Sequence, residues 1–308
     1  MFSPALLAVS RNRWIREFVT ASPMGRRVAG RFVAGEDLST VSVTVERLAD
    51  SGLWATIDCL GEDVTERSQA THTREAYIEL LNLLERAGLA PAAEVSVKLS
   101  ALGQSLPGDG PVVATANAHA ICEAARRAGT TVTLDMEDHT TIDSTLETLR
   151  NLRDDFPSVG AVFQAALVRT EADVQDFAHE GSRVRLVKGA YAEPRSVAYV
   201  KKAEVDRAYK RCLAVLFAQN AYPMVATHDQ AMIDEANRLA TLYGRRSTDF
   251  ELQMLYGIRT SEQMRQASEG KRVRVYVPYG QDWYGYFARR LAERPANLGF
   301  LLRSLAAG

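Results

Sequence analysis

Val273-Arg274-Val275-Tyr276-Val277-Pro278, followed by Trp283-Tyr284-Gly285-Tyr286-Phe287-Ala288-Arg289-Arg290-Leu291-Ala292-Glu293-Arg294, is the stretch from which the rest of the chain is read. The first part is a β-branched run stopped by proline, which predicts a buried strand, and Gln281 to Glu293 predicts a helix behind it. That helix brings two neighbouring guanidiniums, Arg289 and Arg290, close to aromatic rings. Such a cluster suits a small anion: arginine forks hold carboxylates in a planar, bidentate way, and rings can wall off the apolar part of the same ligand. The same spacing also fits an ion pair of either arginine with Glu293 on a solvated helix face, the commoner use of such residues.

Working back from this strand, the same rhythm recurs. Short β-rich runs, each followed by a helical stretch, occupy Trp54–Leu60, Glu94–Ser100, Thr131–Glu137, Gly160–Ala165, Arg183–Lys188, Tyr222–His228, Asp249–Leu255 and Arg272–Pro278. Strands alternating with crossover helices make an α/β chain with a parallel sheet, and eight such units close most economically into a barrel. A doubly wound sheet is the alternative, but no Gly-x-Gly-x-x-Gly follows any run, and Gly108-Asp109-Gly110 reads as a plain turn. Gly88 and Gly129 are placed to end helices. Ahead of the first strand, Leu6, Val9, Trp14, Phe18 and Val19, then Val43, Val45 and Leu48, follow a helical pattern. The expected organisation is an N-terminal helical extension over 1–52, acting as a cap or lid, and one βα barrel over 53–308.

Composition narrows the partners. With 46% hydrophobic and 24% charged residues the chain has ample material for a core, and Lys+Arg 37 against Asp+Glu 38 gives no nucleic-acid footprint. Cys59, Cys122 and Cys212 are widely spaced and form neither a disulfide framework nor a zinc site, which fits a reducing cytoplasm. No apolar run approaches the roughly 20 residues of a spanning helix, and the Ala5–Val9 patch is too short for a signal peptide. The five histidines include no His-Glu-x-x-His, and no Gly-x-Ser-x-Gly elbow is present.

In a barrel the chemistry sits at the C-terminal ends of the strands. Polar residues end six of the runs: Lys98 and Ser100, then Asp135 to Asp138, Gln164, Arg185 with Lys188, Thr227 with His228, and Tyr276. A lysine buried beside a strand is costly unless paired or bound, so Lys98 and Lys188 are candidate ligand groups; a structural pair, such as Lys98 with Asp135 on the adjacent strand, is the other reading.

Arg185-Leu186-Val187-Lys188-Gly189-Ala190-Tyr191, then Ala226-Thr227-His228-Asp229, then Tyr286-Phe287-Ala288-Arg289-Arg290-Leu291-Ala292-Glu293 together resemble the proline dehydrogenases. The likeness runs from the first strand to the last helix. It implies a flavoenzyme on a distorted eight-stranded (βα) TIM barrel, with FAD at the C-terminal face and the last helix over the barrel mouth. On that resemblance Arg289, Arg290 and Lys98 hold the carboxylate of L-proline and Glu293 braces the arginines. Tyr276, Tyr286 and Leu255 line the ring, and Asp135 ties down Lys98 or neighbouring groups. Arg185 approaches flavin N5, and Gln164, Lys188, Gly189, Ala190, Tyr191, Thr227 and His228 bind the cofactor. The implied reaction is hydride transfer to the flavin, giving 1-pyrroline-5-carboxylate for a separate pyrroline-5-carboxylate dehydrogenase, with a quinone as electron acceptor. Because quinones are membrane-borne, the N-terminal helices are expected to touch the inner face of the cell membrane.

The chain departs from larger, fused members in having Ala192 after the Lys-Gly-Ala-Tyr motif and a shorter loop after Tyr276, so it looks monofunctional. Tyr279 stands where a small residue is common and is expected to tighten the substrate pocket. Two other readings predict different behaviour: a Schiff-base barrel using Lys98 or Lys188 as nucleophile, and a non-catalytic amino-acid-binding barrel.

Overall fold

The computed structural model describes residues 23–293. Eight parallel strands close into a barrel in sequence order, β1 (Trp54–Cys59), β2 (Ala93–Val97), β3 (Val132–Leu134), β4 (Gly160–Gln164), β5 (Arg183–Val187), β6 (Tyr222–Ala226), β7 (Glu251–Leu255) and β8 (Val273–Tyr279), with β8 pairing back onto β1. All eight expected runs therefore form strands, the third shortened to three residues.

Ten helices accompany them among the described residues: α1 (Pro23–Ala29), α2 (Leu38–Asp50), α3 (Arg67–Arg86), α4 (Gly110–Arg127), α5 (Ile142–Asp155), α6 (Thr170–Phe177), α7 (Lys202–Ala218), α8 (Gln230–Leu242), α9 (Thr260–Ser268) and α10 (Trp283–Glu293). Gly88 and Gly129 take left-handed φ just past α3 and α4, as expected. No described helix is long and apolar enough to cross a membrane.

The strands alternate in chemistry because both faces are buried but in different surroundings. Ile57, Val95, Val97, Leu134, Val184, Leu186, Val225, Val275 and Val277 are buried in the main core, with the helices packed outside. α3 shows the matching pattern, with Tyr77, Leu80, Leu81 and Leu84 on one face at helical spacing and fully buried. Burying each such leucine contributes about 1.5–3 kcal/mol, so a charge at Leu80 would break this layer.

The alternate positions point into the barrel and carry polar groups. Arg185 on β5 donates to Thr56 on β1 and Ser96 on β2, bonds between non-adjacent strands that can only cross the interior. Towards the N-terminal strand ends lies a set of ions: Arg274 donates to Glu251 at 2.7 and 3.1 Å, and Arg183 pairs with Glu94. Many barrels fill this space with branched aliphatics; here matched charges take their place.

The described part of the N-terminal extension does two jobs. α2 puts Val41 and Val45 into the main core. α1 and the turn after it form a second cluster, in which Val28, Phe32 and Val33 pack with Trp283, Tyr286 and Phe287 of α10. Gly257, in the loop after β7, is required by that docking: its φ is +73°, and a Cβ would lie 1.6 Å from the Arg31 carbonyl oxygen. Ala5–Val9 lies outside the described residues.

Candidate active site

A cavity of about 490 Å³ opens at the C-terminal strand ends. Lys98 enters it just past β2, Asp135 past β3, Gln164 at the end of β4, and Arg185 from β5. The loop after β5 adds Lys188, Gly189, Ala190 and Tyr191, and the turn after β6 adds Thr227 and His228. Leu255 and Tyr276 close β7 and β8 towards it, while Tyr286, Arg289 and Arg290 reach it from α10. Residues separated by nearly two hundred positions thus line one space. Glu293 ends α10, and its side chain lies outside the described residues.

Arg185 is fixed at the floor. Its guanidinium donates to Gln253 Oε1 at 2.6 Å, Ser96 Oγ at 2.7 Å and Asp135 Oδ1 at 2.7 Å, and only 3% of the side chain is exposed. Asp135 also accepts the Tyr276 hydroxyl at 2.7 Å. Burial, then the Asp135 charge, pushes the Tyr276 phenol well above its ordinary range, so it stays a donor.

Lys98 pairs differently from the sequence expectation. Its Nζ lies 2.5 Å from Asp58 Oδ2, not on Asp135. The reason is register: Asp58 stands opposite Ser96 on the neighbouring strand, within reach of Lys98, whereas Asp135 is already claimed by Arg185, Ser96 and Tyr276. Burial opposes the Lys98 charge, but Asp58 and Asp135 outweigh it and raise the ammonium above its ordinary range. Burial pushes the Asp58 carboxyl up, with Lys98 pulling against it.

At the mouth, Arg289 sets both ends of its guanidinium on the carboxylate of Glu62, in the loop after β1. Burial opposes the Arg289 charge and Glu62 more than offsets it. Lys188 Nζ bridges Asp206 at 2.5 Å and Asp229 at 2.6 Å, and its hydrogen bond is the main cause holding the Asp229 carboxyl at about 2.

Tyr279 does not meet the expectation made for it. It is buried in the main core, stands opposite Cys59 in the β1–β8 register, and is not part of the cavity lining. Strand alternation explains this, since Tyr276 faces the interior and Tyr279, three residues on, faces out.

The family profile for proline dehydrogenase matches residues 41–303, 263 positions of this chain. The chain belongs to the proline dehydrogenase family. It is 41% identical over 283 residues to a proline dehydrogenase of Deinococcus radiodurans, covering 91% of each chain. It is 38% identical over 282 residues to proline dehydrogenase 2 of Bacillus subtilis, again covering 91% of each. Among solved structures, the proline utilization A protein of Bdellovibrio bacteriovorus inactivated by N-propargylglycine superposes with a TM-score of 0.81 at 23% identity; the match covers 93% of this chain and 38% of that one.

For this member of the proline dehydrogenase family, two acidic site residues escaped the sequence reading. Asp58 was hidden inside the first apolar run, although a lone acid near a strand's C-terminal end was the signal that could have exposed it. Glu62 sits in a loop 227 residues from its arginine, and no spacing connects them.

Proposed function

We propose that this protein is a monofunctional, FAD-dependent proline dehydrogenase that oxidises L-proline to 1-pyrroline-5-carboxylate. The observation that carries the reading is the meeting of Lys98, Arg289 and Arg290 with Leu255, Tyr276 and Tyr286 around one cavity. Three cations suit a carboxylate, and the leucine and two phenol rings suit the apolar edge of a five-membered ring. Binding at both ends orients the ring carbon next to nitrogen, and the packed rings exclude water from it.

The residues present also fit a flavin. Gln164 spends its amide nitrogen on the Glu137 carbonyl at 2.6 Å, which leaves Oε1 as an acceptor beside Gly189. Gly189 has φ +114°, and a Cβ there would press within 3.1 Å of Ala166 and 3.3 Å of Gln164 Oε1, so a bare backbone keeps that edge open. His228 Nε2 accepts the Leu255 N–H at 3.0 Å, which turns the other ring nitrogen into a donor. Gln164, Arg185, Lys188, Gly189, Ala190, Tyr191, Thr227 and His228 would hold FAD, which when bound supplies the two-electron acceptor. Arg185 contributes a fixed positive charge that favours electron density gathering beside it. Lys98 is read as a carboxylate ligand rather than a Schiff-base nucleophile, because a nucleophilic amine must be neutral and Asp58 holds this one as an ammonium.

In this reading electrons pass on to a quinone, and a separate pyrroline-5-carboxylate dehydrogenase consumes the product. The extension over 1–52 is proposed to dock on the barrel over 53–308 and, in a cytoplasmic protein, to touch the membrane's inner face; Glu293 is proposed to brace the arginine pair. The test is spectroscopic. Protein reconstituted with FAD should show a flavin band that bleaches on adding L-proline, and a band that stays unbleached overturns the proposal.

A further inference from the structure

We propose that Tyr77, on the outer helix α3, is a positioning residue for Lys98, a proposal that rests on the reading of Lys98 as a carboxylate ligand. Tyr77 is 1% exposed and lies outside the strands, away from the cavity lining. Its hydroxyl donates to the Ser96 carbonyl at 2.7 Å and accepts the Cys59 N–H at 3.1 Å. The pairing of β1 with β2 ends at Asp58 opposite Ser96. In a parallel ladder the next rung would join Cys59 N–H to the Ser96 carbonyl. The hydroxyl therefore stands in that rung as a spacer, satisfying both groups while holding the strand ends apart.

Two site residues hang on those ends. Asp58 precedes Cys59, and its Oδ2 lies 2.5 Å from Lys98 Nζ while its Oδ1 lies 3.4 Å from the Tyr77 hydroxyl. Lys98 follows Ser96 by two residues, just past the end of β2. Removing the hydroxyl lets Cys59 N–H and the Ser96 carbonyl close directly, which shifts Asp58 and Lys98 relative to Arg289 across the cavity. The fold keeps its rung and the site loses its spacing. Tyr77 thus acts through Lys98 without touching the ligand, from a layer of the barrel ordinarily left to packing.

A double-mutant cycle on the FAD-reconstituted full chain tests this. Tyr77→Phe should raise the KM for L-proline about three- to tenfold, with a smaller change in kcat and unchanged FAD affinity. In a Lys98→Ala background the same substitution should change KM by less than about twofold. Asp58→Asn, which leaves both backbone bonds of Tyr77 in place, should raise KM, and adding Tyr77→Phe to it should contribute little further. An equal rise with and without Lys98, or no rise in KM at all, overturns the proposal. So does a Tyr77→Phe chain that fails to fold, because the hydroxyl would then serve stability alone. Wild-type protein that never bleaches with L-proline removes the underlying substrate reading, and this proposal falls with it.

Discussion

Glu251 with Arg274 and Glu62 with Arg289 are the same kind of pair, a carboxylate accepting two hydrogens from a guanidinium fork. They differ in what borders them. The first lies inside the barrel with side chains 0% and 3% exposed, alongside Glu94 and Arg183. The second lies at the mouth, 28% exposed on Glu62 and 26% on Arg289. An enclosed pair can only stabilise or destabilise the fold, since nothing else can reach its charges. A pair at a cavity wall can share its guanidinium with a ligand, and its removal is cushioned by water. Position relative to the cavity, rather than the chemistry of the pair, separates architecture from function here.

That separation can be broken experimentally. Glu251→Gln should have the largest effect, costing about 3–5 kcal/mol of stability because buried Arg274 loses its fork partner and keeps the Ala55 carbonyl and, at 3.8 Å, Glu94, readable as a fall in the urea midpoint. The same variant tests a pH dependence. Burial opposes the Glu251 charge, but Arg274 and its neighbours hold the carboxyl at about 2 against an ordinary 4.5. A depressed carboxyl gives stability that is present above about pH 4.5 and lost as pH falls towards 2, so the wild-type midpoint should drop across that window more steeply than the variant's.

Arg289→Met should come next, with the opposite signature. Loss of a charge-assisted bond to a carboxylate predicts a KM for L-proline raised about 10- to 100-fold, with FAD content and urea midpoint nearly unchanged. Equal losses of FAD and of substrate affinity would show that α10 is structural after all. Smallest should be Lys202→Ala, which removes a 74% exposed lysine from the Asp206 and Asp229 pairs while Lys188 keeps both carboxylates. Its effect on stability should stay within about 0.5 kcal/mol. A larger loss would mean that pairs at the mouth are not cushioned as supposed.

Much of the barrel was legible because most of its strands announce themselves twice, by β-branched runs and by the polar residue that stops six of them. Lys98, Arg185, Lys188 and Tyr276 were found that way. Pairings were not legible, since register decides them: Lys98 meets Asp58 because β1 and β2 align Asp58 with Ser96, and no local pattern encodes that alignment. Nothing local separates Tyr77 from other aromatics on an amphipathic helix, and no spacing marks Glu94, Arg183, Glu251 and Arg274, which lie on four different strands, as one interior set of ions. Tyr279 was misplaced for a related reason, as its neighbourhood follows from strand alternation and not from its size.

The position of α10 bears on how the molecule is made. β8 must reach back to β1 to close the barrel, and the helix carrying Arg289 and Arg290 follows β8 in the chain. During synthesis Lys98 and Arg185 emerge well before those two arginines, and domains fold as their segments become available. The docking of Trp283 and Phe287 against Phe32 joins the last described helix to the turn after the first, so it can form only once the barrel between them has been translated. A nascent chain stopped at β8 would carry the floor of the cavity but neither guanidinium of its rim.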